Sequence, residues 1–415
     1  MGMLRSRFLK RGEAILMRVL IISPHIPPRR CGVADHIAVQ VEELAKRGYK
    51  ISILTDIENA KIATLNDEAD ILPLITKWDF RACRGIRKAI RVTKPDIIHI
   101  HYQISMYNVR AFITIVPFLI KTFRREIEIV TTLHDLNPPY LFPKAGMLRK
   151  KLVLFLAKHS DAVIVSNNLD YQELSTKLAQ EDLRKVHLIP IGSNLNIKKI
   201  PNMKKAVMGF KDEELIVAFF GFVAPDKGVE TLLEAFGRLT REYDNLKLLI
   251  IGGRGYSKGN YNSYLQKLDS IIATYAMKNI VIFTEYVDDI RKIELYMSIV
   301  DICVFPYVEG VTTRRTTFFT AMNMGIPTVT TCASRNYLPE GLKDGENIRL
   351  FEPYNTSELM SILKDLIVSE TERKTLGTMA RTWSLEYSID KLYGELDGIY
   401  KEILFGKSSG GGMEQ

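Results

Sequence analysis

Short apolar runs rich in β-branched residues alternate with longer segments of helical period along most of the chain. The runs predict strands at Arg18–Ser23, Ile51–Thr55, Asp96–His101, Ile127–Leu133, Ala162–Ser166 and Val186–Ile189. A second series follows at Leu215–Gly221, Lys247–Ile251, Asn279–Phe283, Ile302–Phe305, Thr328–Thr330 and Ile348–Phe351. These runs are continuous and not alternating, as strands buried on both faces of a parallel sheet must be. Helical patterns such as Asp35–Arg47 and Val229–Arg241 fill the gaps. Strand–helix repetition of this kind predicts an α/β protein with parallel, doubly wound sheets.

The polar, basic segment Asn194–Phe210 breaks the alternation, holds Pro201 and has no clear period. It reads as a linker between two Rossmann-like domains, 17–197 and 206–386, with 1–16 and 405–415 as flexible ends. The chain is all helical pattern after Thr356, closing with 387–404. Two such domains facing each other would set strand C-termini and helix N-termini around a central cleft, where ligands bind.

Composition narrows the class. The 415 residues are 46% hydrophobic and 25% charged, which excludes a disordered or fibrous chain. Cys31, Cys83, Cys303 and Cys332 form no CxxC and no His/Cys cluster, so neither a disulfide framework nor a zinc module is expected. The first 16 residues lack the apolar core of a signal peptide, and Ala111–Ile120 is too short for the about 20 residues of a membrane span. A cytoplasmic protein, soluble or peripheral on a membrane, is expected. The net charge of +9 is uneven: residues 1–200 carry 32 basic and 19 acidic side chains, and residues 201–415 carry 25 and 29. An anionic partner of the first half is implied.

The first strand runs into Ser23-Pro-His-Ile-Pro-Pro-Arg-Arg-Cys-Gly32, a loop with one glycine before a helix. It is not a GxGxxG dinucleotide fingerprint, which disfavours a nicotinamide or flavin cofactor. The backbone N–H groups of a helix start still suit a phosphate, although a plain turn glycine fits Gly32 as well.

Further motifs follow in order: Lys94-Pro-Asp-Ile-Ile-His-Ile-His101, Thr131-Thr-Leu-His134-Asp, Ser160-Asp-Ala-Val-Ile-Val-Ser166 and Ile189-Pro-Ile-Gly192. Then come Gly221-Phe-Val-Ala-Pro-Asp-Lys227-Gly228, Asp301-Ile-Cys-Val-Phe-Pro-Tyr-Val-Glu309-Gly310 and Ala321-Met-Asn-Met-Gly-Ile-Pro-Thr-Val329. Together, over residues 17–404, they resemble the group 1 glycosyltransferases, retaining enzymes of the GT-B fold that use nucleotide-diphosphate sugars. The resemblance implies that the first domain receives the acceptor, the second binds the donor, and the closing helix packs back on the first.

It also implies roles for particular residues. Gly32, Lys227, Arg314 and Arg315 would hold the donor diphosphate, His134 and Glu309 would orient the sugar, and Val287 and Thr320 would meet the nucleoside. His101 would line the cleft and His99 would be structural. The family's usual arginine five residues before Lys227 is replaced by Phe222, and its second glutamate by Thr320. Glu309 stands three places upstream of Thr312, where the first glutamate is expected. The form Gly310-Val-Thr-Thr-Arg314-Arg315 resembles a subset in which the two arginines replace the missing contacts. No DxD motif is present, Asp288, Asp289 and Asp135 read as helix-start and turn acids, and no metal or other cofactor is expected.

The basic half has its own pattern. Arg81, Arg84, Arg87, Lys88, Arg91 and Lys94 recur at helical spacing, and Lys121, Arg124, Arg125, Lys144, Arg149, Lys150, Lys151 and Lys158 interleave with apolar residues. Such a pattern suits an anionic membrane surface, and a solvated basic face over ordinary core equally. Nucleic acid is not the expected partner, since no recognition motif accompanies the charge. The whole predicts a glycosyltransferase acting on a lipid-linked or polysaccharide acceptor. The altered motif leaves open an inactive GT-B scaffold that binds a partner, and a sugar-nucleotide epimerase of the same fold is a weaker third reading.

Overall fold

The computed structural model describes residues 16–29, 31–63, 68–139, 146–195, 197–253, 261–332 and 338–406. It forms two compact units, one of Met1–Pro190 with Asp390–Gln415 and the other of Ile191–Ile389.

The first unit is built on seven parallel strands: β1 (Arg18–Ile22), β2 (Lys50–Asp56), β3 (Ala69–Ile75), β4 (Ile97–Tyr102), β5 (Glu128–Leu133), β6 (Ala162–Val165) and β7 (Val186–Leu188). Their order is β3-β2-β1-β4-β5-β6-β7. The second unit has six: β8 (Leu215–Phe220), β9 (Leu246–Ile251), β10 (Val281–Phe283), β11 (Ile302–Phe305), β12 (Thr328–Thr331) and β13 (Arg349–Phe351), ordered β10-β9-β8-β11-β12-β13. Each sheet reverses its winding once, between β1 and β4 and between β8 and β11. Loops that leave the C-terminal ends of those strands are where doubly wound sheets bind ligands.

One acidic residue is used three times to start a strand pair. The carboxylates of Asp96, Asp161 and Asp301 accept a backbone N–H from the first or second residue of the neighbouring strand, from Arg18 (2.9 Å), Ile129 (2.7 Å) and Ile216 (2.8 Å). Each would otherwise be an unpaired donor near the start of an interior strand.

Two elements differ from the sequence pattern. Strand β3 was hidden because Pro73 lies inside it and most of its residues are only partly buried. It is the outermost strand, where a missing N–H costs no ladder bond. Helix Ala82–Thr93 sits tightly on it: a Cβ on Gly85 would lie 2.4 Å from the Leu74 carbonyl oxygen. The polar segment Asn194–Phe210 is also not a loose linker. The boundary falls earlier, after Pro190, and Ile197 and Phe210 are buried in the second unit's core. There Lys205 Nζ donates to Asp301 Oδ2 at 2.6 Å, so cationic and apolar anchors hold an irregular chain without any period.

The closing helix Ile389–Phe405 belongs to the first unit. Tyr49 donates to Asp397 Oδ1 at 2.7 Å, and Arg47 pairs with Asp390 at 2.8 Å. The expected flexible ends fall, apart from Leu16, Phe405 and Gly406, outside the described residues.

Candidate functional site

In the second unit the site grows from glycines at the two central strand ends. Gly252 follows β9 at φ +132, and a Cβ there would lie 2.3 Å from the Gly221 carbonyl oxygen beyond β8. The chain then makes a 3-10 turn at Pro225–Lys227 and enters helix Val229–Leu239 through Gly228 at φ +65. A Cβ on Gly228 would lie 2.1 Å from the Pro306 carbonyl oxygen. Only glycine permits that approach, and the approach places Lys227 against the loop after β11.

Tyr307, fully buried in that loop, forms the floor. The Arg315 guanidinium lies 4.5 Å from its ring centre and Lys227 Nζ 5.8 Å, a pair of cation–π contacts on one ring. Lys227 donates to Asp226 Oδ2 at 2.6 Å, and Arg315 lies 3.7 Å from the same oxygen and 3.9 Å from Glu309 Oε2. The cations are sheltered and the acids are not: the Arg315 side chain is 15% exposed, against 51% for Asp226 and 69% for Glu309. Burial, and then the charge of Arg315, holds the Lys227 ammonium below its usual range. Arg315 Nε is buried with no hydrogen-bond partner. Arg315 is also the residue before helix Thr316–Asn323, where a cation opposes the helix dipole. The arrangement is a preformed cationic pair whose present counter-charges are solvated and replaceable. Arg314 is half-buried one residue earlier.

Thr320 is a correction. It is 1% exposed, with its hydroxyl donating to the Thr316 carbonyl at 3.0 Å and meeting Ser193 Oγ at 2.9 Å. Locked inside the helix face, it offers no open side to a nucleoside. Val287 is half-buried and packs on the core, and its neighbour Tyr286 is exposed and stacks on Phe222, with ring centres 5.9 Å apart and 12° between planes. Phe222, which reads from sequence as the loss of a phosphate contact, is thus half of an exposed aromatic face. Its sequence signal was the replacement itself.

In the first unit, helix Gly32–Lys46 starts where the β1 loop ends. A Cβ on Gly32 would meet nothing within 4 Å, so no protein contact demands glycine there. Cys31 Sγ lies 3.3 Å from His25 Nδ1; burial pushes the thiol up and pulls the imidazole down to about 4. One turn into the helix, His36 meets His134 edge-on, with ring centres 5.4 Å apart. His134 Nε2 lies 3.0 Å from His101 Nδ1, and the two rings stack at 5.3 Å. His101 in turn stacks on His99 at 4.6 Å.

Four imidazoles therefore touch in one file, three of them buried and the fourth, the half-buried His36, invisible to strand-end reasoning. Its signal was position: it lies four residues beyond Gly32, on the helical turn that follows the loop. His99 is structural as read: its Nε2 meets Thr132 Oγ1 at 2.7 Å, and its Nδ1 meets Tyr400 Oη of the closing helix. His101 lines no opening, being 0% exposed. Burial, reinforced by the neighbouring rings, lowers His99 to about 3 and His101 well below its ordinary value, and burial lowers His36 to about 4.

Asp289 caps helix Ile290–Ser298 by accepting the Arg291 N–H at 2.9 Å. Among the described residues no group of three or more His, Cys, Asp or Glu is placed to hold a metal ion.

Comparison with known proteins matches residues 214–369 to the family model "Glycosyl transferases group 1" and residues 31–196 to "Glycosyltransferase Family 4". The chain is 24% identical over 290 residues to alpha-monoglucosyldiacylglycerol synthase of Streptococcus pneumoniae, covering 65% of this chain and 61% of that protein, less than two thirds of its length. It is 24% identical over 385 residues to the capsular polysaccharide biosynthesis glycosyltransferase CapM of Staphylococcus aureus, covering 88% and 93%. The crystal structure of Anabaena Alr3699/HepE with UDP and glucose superposes at TM-score 0.69 with 15% identity, covering 92% of this chain and 98% of that one.

Proposed function

The chain belongs to the group 1 glycosyltransferases of the GT-B fold, and we propose that it is a metal-independent, retaining member that uses a UDP- or GDP-sugar. The acceptor would be a hydroxyl of a lipid-linked or polysaccharide molecule. The observation that carries the donor assignment is the sheltered pair Lys227 and Arg315 on the ring of Tyr307, facing the solvated carboxylates of Asp226 and Glu309.

A diphosphate entering there would displace Asp226 and complete the hydrogen bonding of Arg315. The same cations would then stabilise the charge that develops as the bond between the anomeric carbon and the diphosphate breaks. The acceptor oxygen bonds to that carbon and its proton passes to the departing diphosphate. Arg314 and the helix start at Gly32 are further phosphate contacts in this reading. Glu309 and His134 orient the sugar. The stacked faces of Phe222 and Tyr286, beside Val287, offer a planar apolar surface to the nucleobase.

Support for the acceptor class comes from two relatives, one named for a glucosyl lipid and one for a capsular polysaccharide. Among the described residues no helix is long and apolar enough to cross a membrane. Contact with the cytoplasmic membrane face would rest on the basic first unit.

The test is a thermal-shift screen of UDP, GDP, ADP and TDP with their sugars. Stabilisation by UDP or GDP that is lost in Arg315→Ala and Lys227→Ala supports the reading, with turnover falling by roughly 10²–10³-fold in each. Stabilisation by none of the nucleotides removes the donor site. Loss of transfer in EDTA, restored by manganese or magnesium, removes the claim of metal independence.

A further inference from the structure

We propose that a groove in the first unit, between helices Ala82–Thr93 and Val116–Phe123, binds a single acyl chain of an anionic phospholipid. Arg87, Arg91 and Arg124 would meet the lipid phosphate at its rim. The proposal rests on the membrane-surface reading above and deepens it.

The groove has a volume of about 430 Å³, and its walls are Ile86 and Ile90 from one helix and Val116, Leu119, Ile120 and Phe123 from the other. The apolar lining reaches solvent at Phe123, which is 64% exposed. The rim is cationic and largely uncompensated. The Arg87 guanidinium lies over Phe123, 4.9 Å from the ring centre. Among the described residues no carboxylate pairs with Arg87 or Arg91, and Arg124 has only Glu126 at 3.5 Å, an exposed pair of little strength. The other acids nearby are already engaged: Asp79 with Arg81 and Arg110, Glu128 and Asp161 with Lys121. This sorts the basic run seen in the sequence, because Arg81 and Lys121 are neutralised and the groove arginines are not. Lys94 serves to end the first helix at φ +45, and Lys144 lies outside the described residues.

Size decides the occupant. A single helical turn, about 10 Å across and 5.4 Å tall, would already take about 420 Å³, so a peptide helix would be held by one turn at most. The same space holds about fourteen groups of a water's ~30 Å³ share of the liquid, which matches one acyl chain. Free phosphate would satisfy the arginines and leave the walls wet, and a neutral hydrocarbon would do the reverse. An anionic amphiphile does both.

The experiment titrates the full-length protein with lysophosphatidylglycerols of six to twelve carbons, each below its micelle concentration, and with the matching lysophosphatidylcholines. Vesicle flotation runs alongside, with and without 30% phosphatidylglycerol. Affinity should rise about fourfold per methylene and then level off as the groove fills. Each of Arg87→Ala, Arg91→Ala and Arg124→Ala should cost about fivefold. Leu119→Trp should flatten the chain-length series while leaving the nucleotide-induced thermal shift intact, which shows that it folds. A flat series, equal binding of both headgroups, or lipid binding no tighter than inorganic phosphate overturns the proposal. Flotation that persists beside a flat series leaves the membrane reading standing, whereas loss of both removes the two together.

Discussion

Replacing His99 by glutamine tests whether the histidine file is held neutral by its burial. His99 is 1% exposed and its imidazole is lowered from 6.5 to about 3, first by desolvation and then by His36. A histidine depressed in the fold leaves stability untouched above its unfolded value and subtracts from it as pH falls below that value, because the unfolded chain takes up the proton first. At pH 5 the unfolded chain gains a factor of about 33 from protonating this one ring and the folded chain gains almost nothing, which is about 2 kcal/mol. At pH 8 the term vanishes. His36, lowered to about 4, acts in the same direction. Glu128, raised to about 7 by burial and then by the neighbouring Asp161, acts in the opposite one, so the wild-type curve mixes signs. The difference between wild type and His99→Gln cancels those common terms. Urea unfolding at pH 8 should show the variant weakened by its lost bonds to Thr132 and Tyr400. By pH 5 that deficit should shrink by about 2 kcal/mol. A deficit equal at both pH values would refute the claim that His99 is kept neutral.

Three further outcomes follow from particular contacts. Gly228→Ala sets a Cβ 2.1 Å from the Pro306 oxygen at φ +65, and should cost at least about 2 kcal/mol in denaturant unfolding; a loss under about 0.5 kcal/mol would mean that the loops part freely. Thr320→Glu restores the family's usual residue but buries a carboxylate where 1% of the surface is open, so it should lower stability by about 3 kcal/mol or more without raising turnover. Asp226→Asn removes the acid that shares the two cations with an incoming phosphate. Nucleoside diphosphate affinity by calorimetry should rise about fivefold, and unchanged or weaker binding would show that Asp226 does not compete.

The sheets were legible because both their faces are covered. Strand β8, Leu215–Phe220, is buried at every position, so its apolar run needs no partner to be recognised. Strand β3 failed for the converse reason: it is an edge strand half in solvent, and Pro73 interrupts its apolar run. Asn194–Phe210 failed because its order comes from single anchors, Ile197, Lys205 and Phe210, and isolated anchors leave no period.

The site was legible where one residue type has one use. Gly228 and Lys227 stand together because the glycine sets the approach and the lysine then has one direction to go. Convergence from separate elements was not legible, because spacing along the chain carries no record of it. Tyr307, Asp226 and Arg315 come from the loop after β11, the turn after β8 and a helix start, and they become one cationic floor only through the backbone approach at Gly228. Phe222 makes the same point with opposite sign. Read alone it is a missing arginine, whereas beside Tyr286 it is an aromatic surface, and Arg315 already supplies the buried guanidinium. In the proposed donor site the departure at Phe222 and the arginines after Glu309 would then be one compensated change. The guanidinium at the helix start lies against the ring of Tyr307, and Phe222 forms part of an apolar face.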